Sequence, residues 1–179
     1  MTRAQKPSLG RLAVAFVVTV VIPFVALTAH AQTPPEAPDV EMVWELMVLN
    51  RAPDGVQVAH LMHVINMGPR QATLVPLTVP EGARWMDVPE PLLAEEGRAV
   101  DPRPLAVGEE RRYLVAYEIP WQRLPMPVRR PMLYPTHELH IWVRSGELEV
   151  RGVNVRAGAT EDFEGVPVDT YSMVGLQPP

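Results

Sequence analysis

Cysteine is absent from the 179 residues, which removes disulfides, thiol catalysis and cysteine metal sites together. In an oxidising compartment such a chain must hold its fold by core packing. Hydroxyl side chains are few beyond the N-terminal region, and neither Ser145 nor Ser172 stands in a G-x-S-x-G frame or another nucleophile context. No glycine-rich phosphate loop is present. Lysine occurs only at position 6 and every later cation is arginine, a bias that reads as codon usage rather than chemistry. The formal net charge is −5. An acidic chain lacks the cationic surface with which proteins displace counterions from nucleic acids or anionic membranes. The carboxylate neighbours Glu95-Glu96 and Glu109-Glu110 fall in turns, where they read as solvated charge. A glycosidase needs two carboxylates held about 5 to 10 Å apart across a cleft.

What is present begins with an export signal. Arg3, Lys6 and Arg11 precede an apolar run from Leu12 to Leu27, followed by Thr28-Ala29-His30-Ala31. A basic region, a short apolar core and a small-x-small site predict a secretory signal peptide over residues 1–31, cleaved after Ala31. The run is short for a bilayer-spanning helix and Pro23 interrupts it. An uncleaved anchor is the alternative, and the only contact with a membrane that the reading allows. Localisation is therefore expected in the periplasm or outside the cell. Loss of three leader cations makes the remaining chain more acidic. Residues 32–39 are proline-rich and predict an extended segment.

From Val40 the apolar residues alternate. Val40, Met42, Trp44, Leu46 and Val48 share one face of an extended segment, with Glu41 and Glu45 on the other. Pro53-Asp54-Gly55 is a turn signal, with glycine expected to supply a positive φ, so Val56 to Asn66 predicts the second arm of an antiparallel hairpin. Ala72 to Val79 predicts a third strand, placed at an edge or bulged by Pro76. Residues 85–105 carry no sustained period and predict an irregular connection with one short strand at Arg98 to Val100. Tyr113, Val115, Tyr117 and Ile119 share the clearest buried face. Prolines at 120, 125, 127, 131 and 135 predict a surface loop of polyproline character. Strands follow at His137 to Val143, at Glu147 to Val155 with a bulge at Gly152, and at Val168 to Val174. The sum is an all-β, antiparallel, two-sheet, immunoglobulin-like sandwich of about seven strands over residues 40–176, with a 177–179 tail.

Several landmarks stand in order: Val64-Ile65-Asn66-Met67-Gly68, Leu77 through Ala83, Leu105-Ala106-Val107-Gly108-Glu109, Tyr117-Glu118-Ile119-Pro120, Tyr134-Pro135-Thr136 and Val174-Gly175-Leu176. Together they resemble a group of uncharacterised exported bacterial β-sandwich domains, often found near carboxypeptidase-regulatory-like modules. The resemblance implies the fold and carries no catalytic residue.

Two constellations are candidate sites. His60-Leu61-Met62-His63 and His137-Glu138-Leu139-His140 both have H-x-x-H spacing, with Met42, Met47 and Met67 as thioethers nearby. Imidazole and thioether are the ligands a cysteine-free protein would offer copper. On a strand, residues three apart point to opposite faces, so only His60 with Met62, or one histidine from each strand, could converge. The bland reading is solvent-facing histidines and gap-filling methionines. The second constellation is the loop carrying Trp121, Arg123, Arg129, Arg130 and Tyr134. Aromatic rings beside guanidinium groups are enriched at contact surfaces and would receive an acidic glycan or another envelope protein; the bland reading is a proline-stiffened loop whose arginines pair locally. The reading favoured by the sequence is a non-catalytic binding module without a cofactor. Its rivals are a soft-metal carrier and a small hydrolase.

Overall fold

The computed structural model describes residues 40–122 and 124–178. The expected leader, the 32–39 segment, Arg123 and Pro179 lie outside them. The described chain is all β, and among the described residues no helix is long and apolar enough to cross a membrane. Ten strands form in order: β1 Val40–Arg51, β2 Gly55–Asn66, β3 Val75–Thr78, β4 Arg84–Asp87, β5 Leu93–Glu95, β6 Arg98–Asp101, β7 Glu110–Pro120, β8 Thr136–Arg144, β9 Arg156–Phe163 and β10 Val166–Leu176. A seven-stranded sheet has the order β4-β7-β2-β1-β8-β10-β9, and a three-stranded sheet the order β3-β6-β5. One core cluster joins the two layers, with Val56, Val58, Met62, Tyr117 and Val143 from the large sheet and Val75, Leu77 and Ala99 from the small one. This is sandwich packing, in which the inner faces share one apolar layer.

The expected hairpin forms, with Arg51 opposite Val56 across the turn. Gly55, however, is not among the glycines with positive φ. It is needed for space: a Cβ there would lie 2.5 Å from the Ile119 carbonyl oxygen on β7. Pro76 sits on β3, an edge strand, where its missing N–H removes no interior ladder bond.

Four expectations are corrected. First, ten strands replace about seven, because β4 and β5 form inside the stretch that lacked a period; these strands are four and three residues long, too short to display alternation. Second, the strand expected over Glu147 to Val155 forms later. Leu148 and Val150 pack on the core as irregular chain, while β9 pairs with β10 through a two-residue turn, Glu164 and Gly165, both at positive φ. All eight β9 residues are exposed, so no apolar rhythm marked it. Third, the sheet is mixed, because β1 and β8 are parallel. β7 and β8 flank the β1–β2 hairpin and run in the same direction, so the chain must return along the whole strand length to begin β8. Residues 121–135 make that crossover.

The fourth correction concerns β1. Its register on β2 shifts between Met42 and Trp44, leaving Val43 as an extra residue, a β-bulge. Beyond the bulge every side chain changes face. Glu45 and Met47 are buried, while Trp44, Leu46 and Val48 stand outside the core cluster. The even-numbered apolar face expected from the alternation is inverted from Trp44 onward.

Candidate functional site

The bulge delivers Glu45 into the core at 1% exposure. An unpaired carboxylate there would be costly, and three groups answer it, one of them backed by a fourth. Arg130 of the crossover grips both oxygens, Nη1 lying 2.7 Å from Oε2 and Nη2 donating to Oε1 at 2.8 Å. His60, diagonal to Glu45 across the hairpin, has Nε2 2.8 Å from Oε2. Thr136 Oγ1 donates to Oε1 at 3.3 Å. Tyr117, diagonal to His60 on β7, places its hydroxyl 3.3 Å from His60 Nδ1. Burial alone would raise the Glu45 carboxyl, but the His60 hydrogen bond and the Arg130 guanidinium outweigh it and hold it at about 2. Burial pulls His60 below its ordinary value of 6.5, and the attraction of Glu45 only partly offsets this. The consistent assignment is a neutral imidazole that donates from Nε2 to the carboxylate and accepts at Nδ1 from Tyr117. Burial pushes the Tyr117 hydroxyl up, so it stays protonated and donates.

A carboxylate, an imidazole and a hydroxyl in series are the parts of a proton relay. Here His60 and Tyr117 are both at 0% exposure. Beside them a recess of about 10 Å³ is lined by Glu45, Thr78, Arg130, Tyr134 and Thr136, among others, room for about one water molecule. The arrangement ties the crossover to the hairpin.

A second buried cluster ties the two sheets together. Asp101, at the end of β6 and fully buried, accepts from Arg103 Nε and Nη2, from Arg111 Nη1 at 2.9 Å and from the Tyr113 hydroxyl at 3.0 Å. Burial would raise its carboxyl, yet the hydrogen bonds from Arg103, Arg111 and Tyr113 carry it well below the ordinary range. Arg111 also pairs with Glu109.

The proposed metal ligands are dispersed. His60 and Met62 share the inner face of β2 and are both fully buried, as the strand period requires. His63 faces the other way, with its ring edge-on to Trp44 at 5.7 Å and Nε2 3.1 Å from Glu110. His137 pairs with Glu41 at 2.8 Å and His140 with Glu138 at 3.1 Å, both exposed. Each of these four histidines has its own glutamate. Among the described residues no group of three or more histidine, aspartate or glutamate side chains is placed to hold a metal ion.

The candidate residues of the proline-rich loop do not all face solvent. Arg130 is turned inward on Glu45. Tyr134 is buried, its hydroxyl without a hydrogen-bond partner among the described residues. Trp121 is half-buried and donates from Nε1 to the Ala52 carbonyl at 3.0 Å. Arg129 remains exposed, its carbonyl accepting from Glu81 N, and Leu124 is 81% exposed. The reason is the parallel β1–β8 pair, which sends this loop across the core. Sequence reasoning missed Glu45, Asp101, Arg111 and Tyr117 as interacting groups. The one available signal was a lone glutamate within Val43-Trp44-Glu45-Leu46-Met47.

No protein-family model matches the chain, and no curated protein matches it. Among solved structures it is similar to an M1 zinc metallopeptidase from Deinococcus radiodurans, with a TM-score of 0.42 and 12% identity over 75% of this chain. A two-domain M1 zinc metallopeptidase mutant bound to L-tryptophan gives a TM-score of 0.44 at 12% identity. The chain spans 39% of the length of each. Likeness at this level leaves function to the residues described above.

Proposed function

We propose that this chain is an exported, non-catalytic β-sandwich of immunoglobulin-like kind, related to the uncharacterised export-associated group it resembles, that works by binding another component of the cell envelope. The observation that supports the reading is the state of its buried charged groups. Glu45, His60 and Arg130 are held by one another, Asp101 is held by Arg103, Arg111 and Tyr113, and the recess beside Glu45 has room for one water rather than a substrate. In this reading chemistry at the core is structural and recognition belongs to the surface. On the crossover loop the binding groups are its exposed members, Arg129 with Leu124 and Val128, instead of Arg130 and Tyr134.

The test is binding of the purified protein to a uronic-acid-rich polysaccharide and to solubilised envelope proteins, compared with an Arg129→Glu, Leu124→Asp double variant. Loss of binding in the double variant supports the loop. Absence of binding by the unaltered protein to either class, together with turnover of a peptide or ester substrate, would overturn the reading.

A further inference from the structure

The bulge at Val43 that buries Glu45 also turns the apolar half of β1 outward. Trp44, Leu46 and Val48 then join apolar neighbours on the same outer face of the large sheet. Strand pairing sets these residues in rungs. One rung runs Leu114, Leu61, Leu46, His140 across β7, β2, β1 and β8. The next runs Arg112, His63, Trp44, Glu138 across the same strands. Leu114 is 56% exposed and Val174 51%. Trp44, Leu46, Leu61 and Trp142 are absent from the core cluster and from the side chains packed on it. The small sheet and the crossover loop both lie on the opposite, inner face, as Asp101 on Tyr113 and Arg130 on Glu45 show. On the outer face Phe163 of β9, a strand of the same sheet, lies edge-on to Trp142 at 5.3 Å, while Leu114 and Val174 stand in solvent. A contiguous apolar patch of this kind on a soluble protein marks a contact surface.

Its charges say what fits it. The rung through Trp44 has a cation at one end, Arg112, and an anion at the other, Glu138. Arg112 makes no ion pair among the described residues, and Glu138 has only the exposed His140. A twofold axis lying along the strands between β1 and β2 exchanges β7 with β8 and β2 with β1 while keeping each rung level. That operation lays Arg112 of one copy over Glu138 of the other, twice, with Trp44 and His63 between them, and on the neighbouring rung it sets Leu46 on Leu61 and Leu114 on His140. A surface that complements itself under a twofold axis is the form an isologous dimer contact takes. We propose that the outer face of the seven-stranded sheet is a self-association surface, on which a second copy of this chain packs face to face, sheet on sheet.

The test is sedimentation equilibrium on the purified protein, its N-terminus read by intact mass spectrometry. A dimer is expected. Leu114→Asp, on a side chain already in solvent, should weaken it by roughly tenfold or more in Kd with an unchanged circular dichroism spectrum. Leu124→Asp, on the crossover loop, should leave the mass unchanged. Arg112→Glu and Glu138→Arg should each weaken the dimer, and the double variant should restore it. A monomer at all concentrations overturns the proposal. So does a dimer indifferent to Leu114→Asp and to the charge exchange.

Discussion

Arg130 and Glu45, 85 positions apart, form a two-pronged ion pair across the core face of the large sheet. The guanidinium belongs to a loop and the carboxylate to the strand beneath it. The pair therefore closes the crossover that makes the sheet mixed.

Removing one partner of such a pair strands the other. Arg130→Leu leaves the Glu45 carboxylate buried with only the neutral His60 and Thr136 as partners, and should destabilise the protein by about 3–5 kcal/mol. Adding Glu45→Gln to that variant should recover part of the loss, since no charge is left to solvate. Urea unfolding of the two variants and the parent checks this. A cost below about 1 kcal/mol for Arg130→Leu, the range of exposed pairs, would show that the pair is solvated.

Stability should fall with acid in two stages. His60 has a folded value below its unfolded 6.5, so the unfolded chain takes up a proton first and stability drops as pH falls below 6.5. Glu45 is held at about 2 against an ordinary 4.5, so its contribution is present above 4.5 and lost as pH falls toward 2. Each proton contributes at most about 1.4 kcal/mol per pH unit. His60→Gln keeps a donor for Glu45 and removes the first titration. Melting temperatures from pH 7 to 5 should then decline less steeply in the variant than in the parent; equal slopes would refute the buried neutral imidazole.

Gly55 is fixed by crowding rather than by its dihedral. Gly55→Ala forces a methyl onto the Ile119 carbonyl and should cost about 1–3 kcal/mol, as overpacking does. Gly82→Ala, at positive φ with open space around it, is the contrasting case, strained by conformation alone. If Gly55→Ala unfolds at the parent's urea midpoint, the close approach of β2 and β7 at this end is wrong.

The hydroxyl of Tyr113 should count for more than an ordinary hydrogen bond because its acceptor, Asp101, is ionised and buried. Tyr113→Phe is expected to cost about 1.5–3 kcal/mol, read by urea unfolding. In the same variant, proteolysis between β6 and β7 should become faster as the small sheet loosens. A neutral substitution would mean that Asp101 is satisfied by its arginines alone.

Much of the strand content was legible because it rests on local causes. Val56 to Asn66, Tyr113 to Ile119 and Leu139 to Val143 alternate cleanly, and strand geometry converts that period into a buried face whatever the neighbours. The Pro53-Asp54-Gly55 turn and the edge placement of Pro76 follow from backbone chemistry within a few residues. The opposite orientation of His60 and His63 followed from the same period. Exposed or very short strands such as β9, β4 and β5 left no such trace, because water on both faces imposes no rhythm and four residues cannot display one.

The residues of the candidate site belong to the other category. One extra residue at Val43, which no local pattern distinguishes from continued alternation, decided that Glu45 goes in and Trp44 goes out. The direction of β8 beside β1 decided that a proline-rich loop would cross the core and that Arg130 would meet Glu45. From its own residues the chain determined which segments extend and where they turn. Which face each segment buries, and which distant charges meet there, depended on register and strand order, because a bulge shifts side chains by half a period and a crossover joins positions that sequence keeps far apart.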